Sequence, residues 1–180
     1  AVLKGTIIKG NILVKQGAKL VTNGARVDGN IQAEGAALVD LKASSRIEGD
    51  VQAKKTRSVL VQGSTRVGGN VQVQEATAPK KVHALLVQSS VVDGDVQAEK
   101  GTGHVKSLNT SIGGNLQVVE NKNGTYTFNN NRIGGDLQFF KNQGKGTITG
   151  NRVKGNLQSK ENSPRPVVKK NTVEGDTELE

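Results

Sequence analysis

Asn131–Gln138 reads NRIGGDLQ and Asn151–Gln158 reads NRVKGNLQ, nearly the same eight residues twenty positions apart. One copy of such a stretch could be a site. Two copies at a fixed interval point to a building unit. Aligned on Gly followed by Asn or Asp, the chain places that second residue, the anchor, at Asn11, Asn30, Asp50, Asn70, Asp95, Asn115, Asp136, Asn156 and Asp176. The intervals are 19, 20, 20, 25, 20, 21, 20 and 20 residues, and Gly precedes all nine.

The columns around the anchor are regular. Three positions before it stand Ile8, Val27, Ile47, Val67, Val92, Ile112, Ile133, Val153 and Val173. One position after it stand Ile12, Ile31, Val51, Val71, Val96, Leu116, Leu137 and Leu157, with Thr177 breaking the rule. Two after it comes a column of glutamines: Gln32, Gln52, Gln72, Gln97, Gln117, Gln138 and Gln158. Apolar residues at −3, +1 and +3 with polar ones at −4 and +2 have a period of two, which predicts a strand. The Gly at −1 shares the inward parity and fits a bend at the corner of a narrow tube. A second strand is expected before each motif, in stretches such as KLVT, LVDLK, ALLVQ and TYTF.

Strand, turn and strand in about 20 residues make one coil of a solenoid. The expected fold is therefore all-β: a single-domain parallel β-helix, or β-solenoid, of about nine coils over residues 1–180. A right-handed coil is expected from the general preference of parallel connections. At the strand spacing of about 4.8 Å, nine coils make a rod of about 43 Å. Stacked glutamines are expected to hydrogen-bond as a ladder, with Asn131, Asn151 and Asn171 forming a second one. The 25-residue interval predicts a loop insertion over about 75–83, where Pro79, Lys80 and Lys81 cannot easily continue a stacked strand.

Composition agrees with a thin fold. Only 33% of the 180 residues are hydrophobic, and the chain has 23 Gly, three Phe, one Tyr and no Trp. Val, Ile, Leu and Ala can fill an interior a few ångströms wide, but not the centre of a rounded globule of this length. The formal charge of +9 allows attraction to any polyanion without choosing one. No Cys is present, so no disulfide or thiolate metal site is expected. No apolar run approaches the roughly 18 residues of a transmembrane segment. The chain opens at Ala1, which reads as a processed or recombinant start with no signal peptide remaining.

The Gly-Asn/Asp-hydrophobic rhythm resembles the bactofilins, bacterial proteins whose β-helical core polymerises end to end without nucleotide. The C-terminal fifty residues, with GGDLQ and KGNLQ, also resemble small secreted bacterial repeat proteins that have GGNLQ units followed by a Pro-containing stretch. Phe139 and Ser159 stand where those often carry Cys. Both resemblances imply a structural rather than a catalytic role. An extracellular or cell-surface setting is expected rather than a cytoplasmic one.

Other chemistries fit the residues less well. Arg26, Arg46, Arg66, Arg132 and Arg152 form one column at −4, whereas catalysis needs unlike groups converging from several elements. His83 and His104 lie between the motifs with no acidic cluster beside them, and read as surface residues rather than metal ligands. GGNVQ lacks the nine-residue period of calcium-binding repeats. Four aromatic residues are too few to stack single-stranded bases, so no specific nucleic acid is expected. No catalytic, cofactor-binding or metal-binding residue is predicted, and no enzyme.

The function expected is structural: a self-associating filament subunit or a rigid spacer. Neither flank has the length or amphipathic pattern of a capping helix, so the end coils are expected to join head to tail as a homopolymer. The predicted interface is Ile8, Asn11 and Ile12 on one end, with Val173, Asp176 and Leu179 on the other. The alternative is a binding module whose basic face attaches to anionic polysaccharide or nucleic acid. High salt should release a polyanion but not a joint made by apolar stacking.

Overall fold

The computed structural model describes residues 1–180, and they form 27 β-strands and no helix. The strands belong to three parallel sheets of nine strands each, and every third strand in the chain belongs to the same sheet. One turn of the chain contributes one strand to each sheet, so the protein is a three-sided solenoid of nine coils. The coil around Asn115 shows the pattern: His104–Leu108 on the first face, Ser111–Ile112 on the second and Leu116–Val119 on the third. The anticipated long strands are all present. The motif itself holds two strands rather than one, because its −4 and −3 residues form a separate two-residue strand, such as Arg132–Ile133.

The period of two sets what is inside. Val67, Val71 and Val73 have at most 1% of their surface exposed, and the same columns from Val27 to Leu157 supply most of one continuous core of 36 buried residues. Neighbouring coils compensate for each other's volume. Tyr126, Phe128 and Phe139 all lie in one coil, with ring centroids 5.4 and 5.7 Å apart. In the next coil Gly146 and Ser159 stand in register with Tyr126 and Phe139. A Cβ on Gly146 would come within 2.9 Å of the Phe139 ring. The Tyr126 hydroxyl escapes the apolar interior by donating to the Gln143 carbonyl at 3.2 Å, and burial pushes its pKa up to about 12.

Each corner has its own chemistry. Between the first and second faces, one or two residues per coil adopt the left-handed conformation, including Gly24, the pair Ala43 and Ser44 at φ 54° and 60°, and Asn130 at φ 55°. Between the third and first faces, left-handed Lys55, Glu75, Lys100, Glu120, Lys141 and Glu161 alternate in charge. Such φ values disfavour L-residues. Here the hydrogen bonds of the coils above and below hold them.

The third corner, between the second and third faces, is the Gly-Asn/Asp anchor, and it explains the motif. The backbone N–H of each anchor donates to Oδ1 of the anchor one coil earlier, from Asn30 on Asn11 to Asp176 on Asn156. There are eight such bonds of 2.7–2.8 Å. An Asn amide and an Asp carboxylate both offer this acceptor, so the column accepts either residue. The preceding Gly is needed because the same Oδ1 occupies the space where a Cβ would stand. A bend alone does not account for it.

From Asn30 onward the column alternates Asn and Asp, which keeps carboxylates two coils, or about 9.6 Å, apart. Asn115→Asp would keep the acceptor but place charges in three successive coils, at Asp95, position 115 and Asp136. Repulsion raises the folded-state pKa of such a cluster, so stability should be lost as pH rises through it and recovered on acidification. The expected cost is about 1–2 kcal/mol at pH 7, vanishing near pH 3, measured by thermal melts across pH.

The insertion is narrower than the stretch 75–83. Ala76 and Ala78 are buried core residues, and Thr77 bridges to Thr102. His83 pairs with His104 and Leu85 with Val105, leaving Ala84 as a bulge. The extra residues are therefore 79–82, a turn closed by Val82 N–H on the Pro79 carbonyl at 3.0 Å, plus Ala84. These make up the five residues by which this interval exceeds 20.

Candidate functional site: the two end coils

The glutamine column faces outward on the third face, as its parity requires. Its bonds run from Gln72 to Gln97 (2.9 Å), Gln117 (2.6 Å), Gln138 (2.7 Å) and Gln158 (3.1 Å), and end on Glu178 at 3.1 Å. Gln52 reaches Gln72 only at 3.5 Å. Gln32 stands in register with Gln52 but makes no side-chain bond, so the ladder is shorter at this end than its column. Asn131, Asn151 and Asn171 do form a second ladder, in which the buried amides of Asn131 and Asn151 each donate to Oδ1 one coil further on. A third ladder, Asn121, Asn142 and Asn162, lines the corner between the third and first faces.

The arginine column is largely neutralised toward the N-terminal end. Arg26 and Arg46 pair with Asp28 and Glu48 at 2.7 Å, two residues along their own strands. Arg66 has Gly68 at that place and reaches across to Asp93 in the next coil at 2.9 Å. The side-chain hydrogen bond from Arg26, then that from Lys9, holds the Asp28 carboxyl below its usual range. Arg152 pairs with Glu174 at 3.1 Å, while Arg132 has no carboxylate within bridging distance.

The two histidines stack one above the other on the first face, ring centroids 5.7 Å apart, and both are half-buried rather than freely exposed. His104 Nδ1 accepts the Thr125 N–H at 2.8 Å, which places any ring proton of the neutral form on Nε2. Burial first, then Lys106, lowers the pKa of both. A surface depression of about 460 Å³ lies on the third face among Gln32, Glu34, Gln52, Lys54 and Gln72.

The first coil consists of Val2–Lys4, Ile7–Ile8 and Ile12–Val14; the last consists of Val167–Lys169, Thr172–Val173 and Thr177–Leu179. The predicted interface residues divide between these outer surfaces. Ile8, Ile12 and Val173 pack against the end of the core but are only partly covered, while Asn11, Asp176 and Leu179 are exposed. The chain's exposed large hydrophobic residues are Val2, Ile7, Leu13, Val167 and Leu179, all of them in these two coils. Register carried through the nine coils puts Val167 over Val2, Val173 over Ile8 and Leu179 over Val14, should a second copy continue the stack.

The polar groups at the two ends match in the same way. Inside the protein each corner Gly N–H donates to the Gly carbonyl one coil earlier, at 2.9–3.2 Å from Gly49 to Gly175. At the ends the Gly10 N–H and the Gly175 carbonyl have no such partner, and neither do the Asn11 N–H and Asp176 Oδ1. At the next position the direction reverses, since each +1 N–H donates to the anchor carbonyl one coil later, from Ile12 on Asn30 to Leu157 on Asp176, so the Asn11 carbonyl and the Thr177 N–H are the matching acceptor and donor.

These features define a β-solenoid repeat protein of nine stacked coils. No family model, curated protein or solved structure matches the chain.

Proposed function

We propose that the protein is a structural element that assembles head to tail, the last coil of one copy stacking on the first coil of the next. The observation that carries this reading is the anchor ladder. Asp176 of one copy placed over Asn11 of the next would make a ninth bond of the kind made eight times inside the chain, and the Asn/Asp alternation from Asn30 to Asp176 would continue onto Asn11. The apolar residues Val2, Ile8, Val167 and Val173 would be covered at the same time, and unpaired strand edges would be satisfied. Such a contact is heterologous and does not close, so it yields a fibre. A charge brought to the joining surface should block growth. Ile12→Lys and Leu179→Lys are expected to leave a folded monomer in sedimentation and light scattering, under conditions where the parent protein sediments as polymer. Normal filaments from both variants would move the contact to the lateral faces and overturn the reading.

A second reading, a basic face that grips anionic polysaccharide, draws on Arg132 and Lys154, which have no ion-pair partner. The pairing of Arg26, Arg46 and Arg66 with carboxylates removes much of its support.

A further inference from the structure

We infer that the joint between copies is selected by charge: Glu174 and Glu180 of one copy pair with Lys9 and Lys15 of the next, which fixes the polarity of the fibre and makes its growth sensitive to salt. The inference rests on the stacking reading above and names the contacts that would make it specific.

The first acidic residue in the chain is Asp28, so the first coil carries Lys4, Lys9 and Lys15 with no counter-charge of its own. Residues 171–180 carry Glu174, Asp176, Glu178 and Glu180 with no base. The columns show where these charges fall. Two residues before the anchor, Lys154 and Glu174 close the C-terminal end, while Lys9 and Asp28 open the N-terminal end with a 3.1 Å ion pair. Four residues after the anchor, Lys160 and Glu180 stand 3.9 Å apart at one end, and Lys15, Glu34 and Lys54 follow one another at the other. Stacked in phase, both columns read positive, negative, positive, negative straight through the joint. The first face offers the one like-charged pair, Lys169 over Lys4.

The reverse arrangements fare worse. First coil against first coil brings two all-lysine ends together, and last against last brings together two sets of four carboxylates that Lys169 and Lys170 offset only in part. Like charges placed opposite one another disfavour a contact strongly, and opposite ones speed encounter. The preference is therefore for a polar fibre over a symmetric dimer. One expectation changes as a result. High salt weakens this joint as it would weaken polyanion binding, so salt alone does not separate the two readings.

Charge reversal does. The variants are Lys9→Glu with Lys15→Glu, and Glu174→Lys with Glu180→Lys. The side chains of Lys9, Glu174 and Glu180 are 81%, 48% and 66% exposed, so folding, checked by thermal melts, is expected to be retained. Each double variant alone should need about tenfold or more higher concentration to polymerise, because in both of these columns its two ends now carry the same sign. An equimolar mixture should polymerise within about threefold of the parent concentration, copies of the two variants alternating. Parent-like assembly of either variant alone, or no recovery on mixing, would overturn the charge-selected joint while leaving stacking intact. A parent protein that never polymerises would instead remove the stacking reading itself.

Discussion

Val71→Asp is expected to lower stability by about 4–5 kcal/mol, whereas Gln72→Ala, its immediate neighbour, should cost about 0.5–1.5 kcal/mol. Val71 is fully buried and faces Val51 and Val96 in the adjoining coils, so a carboxylate there has no water and no cation. It would either stay charged at great cost or bind a proton. Gln72 points outward and donates to Gln97 at 2.9 Å, and its removal leaves partners that water can reach. For a chain of this size about 1 kcal/mol corresponds to about 2–4 °C in Tm, so the two variants should differ by roughly 10 °C. Equal melting points, or the opposite order, would mean that the third face is one residue out of register.

Gly69→Ala is the second large effect, about 3 kcal/mol. The added methyl would lie on Asp50 Oδ1, the acceptor for the Asn70 N–H, and within 2.9 Å of the Gly49 carbonyl carbon. Moving the carboxylate aside breaks that hydrogen bond, worth about 1 kcal/mol, and the backbone overlap adds an overpacking cost of about 1–3 kcal/mol. Gly10, in the same column of the first coil, is an informative control. A Cβ there meets nothing within 4 Å, so Gly10→Ala should cost little. Thermal unfolding of both variants checks the contrast. A Gly69→Ala protein as stable as its parent would show that the anchor corner is loose enough to dispense with its ladder.

The contrast also shows what the sequence makes legible. Alternation at −3, +1 and +3 identified the inward residues of the second and third faces, because parity in a strand leaves only two choices for a side chain. The requirement for Gly69 was not readable in the same way. It arises from an atom of Asp50, twenty residues away, which only the stacking register brings into contact. The two-residue strands, such as Arg66–Val67, are too short to show any period and were merged with the strand that follows. The left-handed corner before the Asn131 column did leave a trace, in Gly5, Gly24, Asn109, Asn130 and Gly150. The Asn121, Asn142 and Asn162 ladder left one too, at spacings of 21 and 20, but outside the motif that anchored the alignment. The charge columns at the ends were within reach of the sequence, since Lys9, Lys15, Glu174 and Glu180 stand at fixed offsets from their anchors. Their pairing distance was not, because only the stacked coils bring Lys9 to 3.1 Å from Asp28 and Lys160 to 3.9 Å from Glu180.

Head-to-tail stacking has a geometric signature that no other use of this fold shares. If the last coil docks on the first without a gap, each subunit adds nine coils to a continuous parallel ladder. Electron micrographs of the concentrated parent protein at low salt should then show unbranched filaments with an axial subunit repeat of about 43 Å over a continuous strand spacing of about 4.8 Å. A strictly monomeric particle at every concentration, or a filament whose repeat is unrelated to nine coils, would contradict the account.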